Sequence, residues 1–356
     1  MNKNNTINDV SKPLKTVLLK NSLKLLSWNI QAPSTAEGDK FKIHDFKSKL
    51  IEHDFICLQE IRKNVNITGY RSKCNTRTDS NSGGVGIFVK NKYIKGVEFI
   101  KDKLCSEYII CRVKKEFFGQ SRDIFLVNAY ITPENSINSS NSTMGKEVLF
   151  KLEEVINDLK EKGDVILCGD FNSRIGNKPG ILTNDSSKII PVPEDYESDK
   201  FIPRNSQDDK TNPYGTQFIK MVLNNQLIIL NGRTLGDFQG KFTSIQKQGC
   251  SVVDYIAVTR HLKQKVSYFK VNSLTMYSDH KPLTMEMRCD RIDATPEQSL
   301  KANYQPAPTR FLFNEENKSN FIENLTNENS MQILNSLHEN IHAVVNNSDK
   351  CNSFMY

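Results

Sequence analysis

Short apolar runs that end in polar residues recur along the chain, and their lengths predict β-strands. These runs cover residues 23–30, 54–60, 83–90, 108–113, 124–130, 165–168, 227–230, 240–244, 251–258 and 282–288. Several of them are apolar at successive positions, which is typical of strands that are covered on both faces. The pattern therefore predicts layered sheets rather than one sheet exposed to solvent.

Apolar residues at helical spacing predict helices between these strands, at residues 40–52, 146–160 and 215–224. The longest has a continuous apolar face made of Leu149, Leu152, Val155, Ile156 and Leu159. Strands outnumber helices and the helices are interspersed among them. We therefore predict an α/β domain in which two sheets pack together as a β-sandwich flanked by helices.

The pattern divides the chain into three parts. Residues 1–22 are polar and Asn-rich and lack the apolar stretch of a secretory signal, so we predict a flexible leader. Residues 23–290 contain the predicted strands, interrupted at 177–213 by a long surface insertion. We predict a linker and a helical C-terminal tail over 291–356. No apolar run reaches the ~18 residues that span a membrane, so no membrane partner is expected.

Charge and cysteine content narrow the class of protein. The formal net charge is +7, and residues 291–356 hold five Lys or Arg against eight Asp or Glu. The first 290 residues therefore carry a charge of +10, which suits a polyanionic partner such as nucleic acid. Eight scattered cysteines without a CxxC pair favour buried thiols over disulfides or a zinc site, and this predicts an intracellular protein.

Polar side chains end most of the predicted strands. They are Asn29 with Gln31, Glu60, Asn128 with Tyr130, Asp170 with Asn172, Asp254, and Asp279 with His280. A spacing of two, as in three of these pairs, puts both side chains on one strand face. Asp279 and His280 are adjacent, so both can serve one site only from the turn before the last strand. Each residue alone is typical of a turn, a helix start or packing, but the whole set indicates a shared site.

The residue types in this set point to metal-assisted chemistry. Carboxylate and amide oxygens are the ligands that a hard cation such as Mg²⁺ prefers, whereas clustered Cys and His for zinc are too few. A histidine with a carboxylate partner can hold a proton or carry charge towards a phosphate. A neutral amide can orient a water molecule. Together these groups predict metal-assisted attack of water on a phosphodiester.

Six motifs carry a resemblance to a known family. "SWNIQ", "LQEIR", "NAY", "GDFNSRIG", "SVVDYIAV" and "SDHKPL" occur in the order expected of the endonuclease/exonuclease/phosphatase superfamily. The resemblance covers about residues 23–288 and implies a deoxyribonuclease-like four-layer fold. Within the superfamily, the stretch "LIILNGRTLGDFQGKFTS" and the motifs after it resemble endonuclease domains of non-LTR retrotransposons.

The resemblance implies a metal side and a phosphate side of the site. Glu60 would be the principal metal ligand, with Asn29 and Asp279 beside it. Asn128 would lie on the phosphate side and bind substrate. One departure from the family is Gln31, because many repair members have an acid two residues after the first Asn. This exchange leaves the number of metal ions open.

The resemblance also implies the catalytic roles. Asp170 would take the proton from the attacking water, and Asn172 would orient that water. Asp254 would hold His280, whose ring would meet the scissile phosphate. Tyr130 would lie on the phosphate side with its hydroxyl available to a phosphate oxygen.

The favoured function is that of a Mg²⁺-dependent endonuclease, with Mn²⁺ as an alternative ion, that nicks one strand of DNA. One alternative is an abasic-site repair nuclease or another phosphoesterase of the same fold, acting on inositol phosphates or lipids. A second alternative is a catalytically decayed remnant that still binds DNA. The resemblance implies a nuclear location, and the sequence makes no prediction of the target site or the oligomeric state.

Overall fold

The computed structural model describes residues 22–36, 38–77, 82–100, 107–134, 144–181 and 203–289, together with residues 323, 331, 332 and 336. It divides the chain into two compact units, Met1–Ala294 and Thr295–Tyr356. The first strand already begins at Ser22, inside the stretch predicted as a leader. Three predicted parts lie wholly or partly outside the described residues. They are the rest of the leader, residues 182–202 of the insertion, and the tail apart from four of its residues.

Sixteen strands and five α-helices are present among the described residues from 22 to 289. The strands are β1 (Ser22–Asn29), β2 (Ser34–Thr35), β3 (Gly38–Asp39), β4 (Phe55–Gln59), β5 (Tyr70–Asn75), β6 (Val85–Lys90), β7 (Val97–Ile100), β8 (Tyr108–Val113), β9 (Ile124–Tyr130), β10 (Asp164–Asp170), β11 (Leu227–Ile229), β12 (Ser244–Gln246), β13 (Gly249–Ser251), β14 (Asp254–Thr259), β15 (Val266–Val271) and β16 (Leu283–Arg288). The helices are α1 (His44–Ile51), α2 (Lys115–Phe118), α3 (Met144–Lys162), α4 (Pro213–Asn224) and α5 (Arg260–Lys263), with short 3₁₀ helices at Lys40–Lys42 and Asn91–Gly96.

Two six-stranded sheets form the body of the first unit, and their topologies match. One sheet has the order β15-β16-β1-β4-β6-β5, and the other has the order β11-β14-β10-β9-β8-β7. Each sheet contains one parallel pair at its centre, β1 with β4 and β9 with β10, and every other pairing is antiparallel. The carboxyl ends of the two parallel pairs are therefore the places where long chain segments leave each sheet.

Three apolar layers hold these sheets together. The inner faces pack on each other through residues such as Leu25, Ile87, Ile166 and Met285. Helix α1 covers the outer face of the first sheet, and α3 and α4 cover the outer face of the second. Burying each large aliphatic side chain of these helices contributes about 1.5–3 kcal/mol. The arrangement of helix, sheet, sheet and helix confirms the predicted two-sheet α/β sandwich.

A few local predictions differ from the structure. The run 240–244 is not a strand apart from Ser244, where β12 begins. Three strands that the pattern did not predict, β5, β7 and β15, lie at sheet edges. None of the cysteines in the described residues forms a disulfide. No helix among the described residues is long and apolar enough to cross a membrane.

Candidate active site

The alternation of side chains along the central strands brings the polar residues to one place. Along β10, Ile166 and Cys168 point between the sheets, so Asp170 at the strand end points there as well. The same two-residue period directs Asn29 of β1 inward after Leu25. Because β14 and β16 run antiparallel to these strands, their starts lie beside the same ends. The polar residues therefore meet at one edge of the inter-sheet core.

Asn29 links the two central carboxylates across the gap between the sheets. Its Nδ2 donates one hydrogen bond to Asp170 Oδ2 at 2.8 Å and another to Glu60 Oε1 at 3.0 Å. Its Oδ1 accepts from the backbone N–H of Gln31 at 2.8 Å. A single amide thus fixes a carboxylate from each sheet, although these residues are 31 and 141 positions away from it along the chain.

Several site residues have left-handed backbone conformations. The φ angles are 53° at Glu60, 54° at Arg62, 47° at Asn172 and 59° at Gln31. Such conformations cost roughly 1–3 kcal/mol each for most non-glycine residues and concentrate at functional sites. The turn after Glu60 is held by the Arg62 N–H, which donates to Gly83 O at 2.9 Å. The left-handed turns, rather than a continuous strand face, therefore aim these side chains.

Asn172 lies beside Asp170 as the two-residue spacing predicted, but in a loop rather than in the strand. β10 ends at Asp170. The Asn172 backbone N–H donates to Asp170 Oδ1 at 3.0 Å, and its Nδ2 donates to Ile131 O at 2.7 Å. The carboxylate and the amide are therefore held as a rigid pair at the rim of the cleft.

A buried histidine–carboxylate pair completes this edge. His280 Nδ1 lies 2.9 and 3.0 Å from the two carboxylate oxygens of Asp254, and both residues are less than 10% exposed. His280 Nε2 lies 3.9 Å from Asp170 Oδ2. The last strand begins only at Leu283, so Asp279 and His280 lie before it, as the sequence predicted. The imidazole therefore presents Nε2 to the same space as the Asp170 carboxylate.

The surroundings of His280 and Asp170 determine the protonation of both side chains. Burial alone lowers the pKa of His280, but the carboxylates of Asp254 and Asp170 outweigh it and raise the pKa to about 10. Burial, reinforced by the charge of Asp254, raises the pKa of Asp170 to about 7. Neighbouring groups with pKa values pushed apart in this way suit a proton acceptor next to a fixed cation.

The two residues predicted on the phosphate side have different surroundings. Tyr130 is adjacent to the site, because burial and then the charges of Glu60 and Asp170 raise its pKa above the ordinary 10.0. Asn128 is fully buried, and its side chain is hydrogen-bonded to Gln59, Leu58 O and Gly86 O. In this structure the Asn128 side chain links β9 to β4 and β6, and its contact with substrate stays a prediction.

The metal side contains oxygen donors that fit a hard divalent cation. Glu60 is held by Asn29. Asp279 Oδ1 accepts no hydrogen bond in the part of the chain that the structure describes, and it lies 3.8 Å from His280 Nε2. Asp170, Asp254 and His280 form another cluster whose ligand atoms lie within 4.8 Å of one another. A hard divalent cation prefers oxygen ligands to an imidazole nitrogen, which favours the Glu60 side. Glu60, Asn29 and Asp279 therefore suit such an ion.

Sequence reasoning did not find the residues that support this site. The Nζ atom of Lys40, a residue only 2% exposed, donates to Ile30 O and Tyr277 O at 2.6 Å each. Trp28 Nε1 donates to His280 O at 2.8 Å. Ser278 Oγ donates to Asn29 O at 2.7 Å. These contacts fasten the segment before β16 to the end of β1. Only Trp28 had a signal, as the single tryptophan next to a site residue.

A family model described as the Endonuclease/Exonuclease/phosphatase family matches residues 26–280. The chain therefore belongs to the endonuclease/exonuclease/phosphatase family and is a phosphoester hydrolase. The family generally depends on divalent metal ions. A search of curated proteins gave no match.

Solved structures share the fold at low sequence identity. The endonuclease domain of TRAS1, a telomere-specific non-LTR retrotransposon, is 16% identical, with a TM-score of 0.51 over 76% of this chain and 100% of that one. An AP endonuclease from Leishmania major is 15% identical, with a TM-score of 0.52 over 75% and 88% of the two chains. NExo, a 3' phosphatase from Neisseria bound to a product DNA hairpin, is 16% identical, with a TM-score of 0.51 over 74% and 99%. These likenesses show the fold alone.

Proposed function

We propose that this protein is a Mg²⁺-dependent DNA endonuclease that nicks one strand, of the type found in non-LTR retrotransposons. The observation that carries the proposal is the meeting of Asp170, Asn29 and Glu60 with the His280–Asp254 pair at one edge of the sandwich. These groups supply a base, a cation and oxygen ligands within one cleft. That combination suits hydrolysis of a phosphodiester.

Asp170 is the proposed acceptor of the proton from the attacking water. A pKa of about 7 makes its carboxylate a stronger base than an exposed aspartate while leaving it largely ionised at mildly alkaline pH. Asn172, fixed through Ile131 O and the Asp170 carboxylate, orients that water. The proton moves to the Asp170 carboxylate as the water oxygen bonds to phosphorus. The bond from phosphorus to the leaving oxygen of the cut strand breaks, and that oxygen takes a proton from solvent water.

His280 is the proposed cationic group on the phosphate. Its Nδ1 is held by Asp254, so its Nε2–H points away from that carboxylate towards the cleft. With a pKa of about 10 the imidazolium persists at neutral pH. It can therefore stabilise the charge that develops on the phosphate oxygens. Tyr130, beside Glu60, can donate a hydrogen bond from its hydroxyl to the same phosphate.

Glu60, Asn29 and Asp279 are the residues that would hold the divalent ion. A bound Mg²⁺ would polarise the phosphate and lower the barrier by several kcal/mol. Gln31 accepts from the Asp279 N–H at 3.5 Å, so the residue that replaces the family's acid contacts a proposed ligand without adding negative charge. We therefore expect weaker metal binding than a carboxylate at position 31 would give.

DNA is the proposed substrate because the first 290 residues carry a charge of +10 and a retrotransposon-like stretch lies at 227–258. The retrotransposon domain, the AP endonuclease and the 3' phosphatase that share the fold act, by their names, on nucleic acid. Repair of abasic sites is the competing activity within the same fold. The intracellular, nuclear location stays a prediction.

A substrate panel separates these activities. The full chain is assayed with Mg²⁺ on intact supercoiled plasmid, on a duplex with one abasic site, and on an inositol phosphate. We expect nicking of intact plasmid at a rate per site comparable to that on the abasic duplex, with no release of phosphate from the inositol phosphate. Cleavage confined to the abasic duplex would replace the proposal with repair activity.

A further inference from the structure

Thr243 contacts the chain on both sides of the His280–Asp254 pair. It directly precedes β12 and is fully buried. Its side-chain Oγ1 accepts hydrogen bonds from the backbone N–H groups of Val253 and Asp254, at 3.1 Å each. Its backbone O accepts a hydrogen bond from the N–H of Lys281 at 2.7 Å. The side chain of Thr243 thus holds the chain at Asp254, and its backbone holds the chain beside His280.

Side chains replace strand pairing on one side of β14 at its start. Strand β11 pairs with β14 over residues 257–259, which lie at the far end of β14 from Asp254. The backbone O of Asp254 accepts from Asn231 Nδ2 at 3.1 Å, and its N–H donates to Thr243. On the other side, Asp254 pairs with Asp170 of β10. The backbone of Asp254 is therefore fixed by one strand and by two side chains.

A backbone bridge connects the same segment to the histidine. Ser244, the residue after Thr243, pairs with His280 in an antiparallel bridge. This pairing and the hydrogen bond from Lys281 to Thr243 O are formed by backbone atoms. Both can therefore persist when the side chain of Thr243 is changed. A substitution at Thr243 should loosen the Asp254 half of the pair and leave the His280 half in place.

We propose that Thr243 is a positioning residue that fixes the Asp254 carboxylate against His280. The role rests on the proposed function, in which this pair acts on the scissile phosphate. Removal of the Thr243 hydroxyl leaves two adjacent buried N–H groups without their acceptor, so the backbone at Asp254 can shift. His280 Nδ1 lies 2.9 Å from the nearer Asp254 oxygen. A misplacement of about 1 Å in such a site lowers a rate about 10²-fold.

Two substitutions separate the hydroxyl of Thr243 from the rest of its side chain. Thr243→Val replaces the hydroxyl with a methyl group, whereas Thr243→Ser keeps the hydroxyl. Nicking of supercoiled plasmid in Mg²⁺ is measured with the full chain. We expect Thr243→Val to lower kcat about 10²-fold and to leave KM for DNA unchanged, because the pair acts at the reacting centre. Thr243→Ser should restore most of the lost kcat.

Thr259→Val is the matched control, because Thr259 lies at the other end of the same strand. Its buried hydroxyl donates to Asp164 Oδ1 at 2.9 Å and accepts from the N–H of Val165 at 3.4 Å. Thr259→Val and Thr243→Val each leave buried polar groups unpaired, so both should lower Tm. Thr259→Val should nevertheless keep the wild-type kcat.

The nuclear magnetic resonance signal of the His280 ring gives a second readout that requires no substrate. The full chain is labelled with ¹³C-histidine, and the His280 signal is identified by its absence from His280→Gln. We expect Thr243→Val to displace this signal from its wild-type position. Thr243→Ser and Thr259→Val should leave it in place.

Three results would overturn the positioning role of Thr243. They are an equal kcat in Thr243→Val and Thr259→Val, an equal loss of kcat in Thr243→Ser and Thr243→Val, and an undisplaced His280 signal in Thr243→Val. If the wild type does not nick DNA, the proposed function fails, and the His280 signal alone decides the role of Thr243. If Thr243→Val does not fold, Thr243→Cys replaces it, because a thiol is a weaker acceptor. A displaced His280 signal in Thr243→Cys supports the role, and a wild-type signal overturns it.

Discussion

The Asp254→Asn substitution isolates the charge on His280 from the rest of the site. Asp254 lies 2.9 Å from His280 Nδ1, and the asparagine can keep one hydrogen bond to the ring while losing the negative charge. A carboxylate about 4 Å from the imidazolium stabilises it by ~4 kcal/mol at an effective dielectric constant near 20. Removing it should return the pKa of His280 towards its ordinary value of 6.5.

This change predicts a loss of activity that depends on pH. An imidazole of ordinary pKa is protonated in about 1% of molecules at pH 8.5 and in about half at pH 6.5. We therefore expect the nicking rate of Asp254→Asn, relative to wild type, to fall about 100-fold at pH 8.5 and only about twofold at pH 6.5. DNA affinity should change little, because the pair lies at the reacting centre.

The assay is the rate of conversion of supercoiled plasmid to open circles at saturating protein and Mg²⁺, from pH 6 to 9. Asp164→Asn is the matched control, because Asp164 lies at the other end of β10 and pairs with His261 Nδ1 at 2.9 Å. It should leave the rate unchanged across the range. A loss in Asp254→Asn that is the same at every pH, or no loss, would refute the assignment of a protonated His280.

Further substitutions test the supporting residues. Asn128→Ala should lower the free energy of unfolding by about 1–3 kcal/mol, because it leaves buried backbone carbonyls unpaired, and should leave KM for DNA unchanged; a raised KM at an unchanged Tm would support a contact with substrate. Lys40 has its pKa lowered from 10.5 to about 8, chiefly by burial. Between pH 8 and 10.5 the unfolded chain therefore binds more protons than the folded chain. Chemical denaturation should show the free energy of unfolding of the wild type rising with pH across that window by about 1–2 kcal/mol relative to Lys40→Met. The same pH dependence of the free energy of unfolding in both proteins would contradict this. Gly169→Ala would place a Cβ 1.9 Å from Ala129 O at a φ of +144°, so we expect little folded protein by circular dichroism, and a wild-type Tm would show that the strands can separate.

The central strands were predictable because they are buried on both faces. β4, β9, β10 and β14 are continuously buried, and a continuously apolar sequence is the direct consequence. Helix α3 was predictable because one face packs on the second sheet while the opposite face stays in solvent. In these elements the same residues that give the pattern also form the core.

The strands that the sequence did not predict, β5, β7 and β15, are edge strands, and they are not buried on both faces. β5 has the sequence "YRSKCN" and lies at the edge of its sheet among the described strands, paired with β6. Its side chains are only partly buried or exposed. Edge strands are kept polar because an apolar edge invites pairing with other chains. The polar sequence that protects the edge also removes the periodic signal. β12 and β13 are three residues each, too short to show a period.

The residues of the site could be predicted from the sequence, but the hydrogen bonds that connect them could not. Residues at strand ends could be read from sequence, because a carboxylate or an amide after an apolar run is conspicuous. Asn29 joins Glu60 to Asp170, and Lys40 joins Ile30 to Tyr277, through contacts that span 10 to 237 positions of chain. No local pattern encodes them. The left-handed conformation of Glu60 was equally hidden, since glutamate rarely adopts it.

Nicking of supercoiled plasmid by the purified full chain in Mg²⁺, in chelator, and with Asp170→Ala in Mg²⁺ tests whether this site hydrolyses DNA. We expect open circles from the wild type in Mg²⁺ alone, and a rate for Asp170→Ala that is about 10²–10⁴-fold lower with DNA binding retained. Nicking by Asp170→Ala at the wild-type rate, or by the wild type in chelator, would contradict the roles of Asp170 and the metal ion.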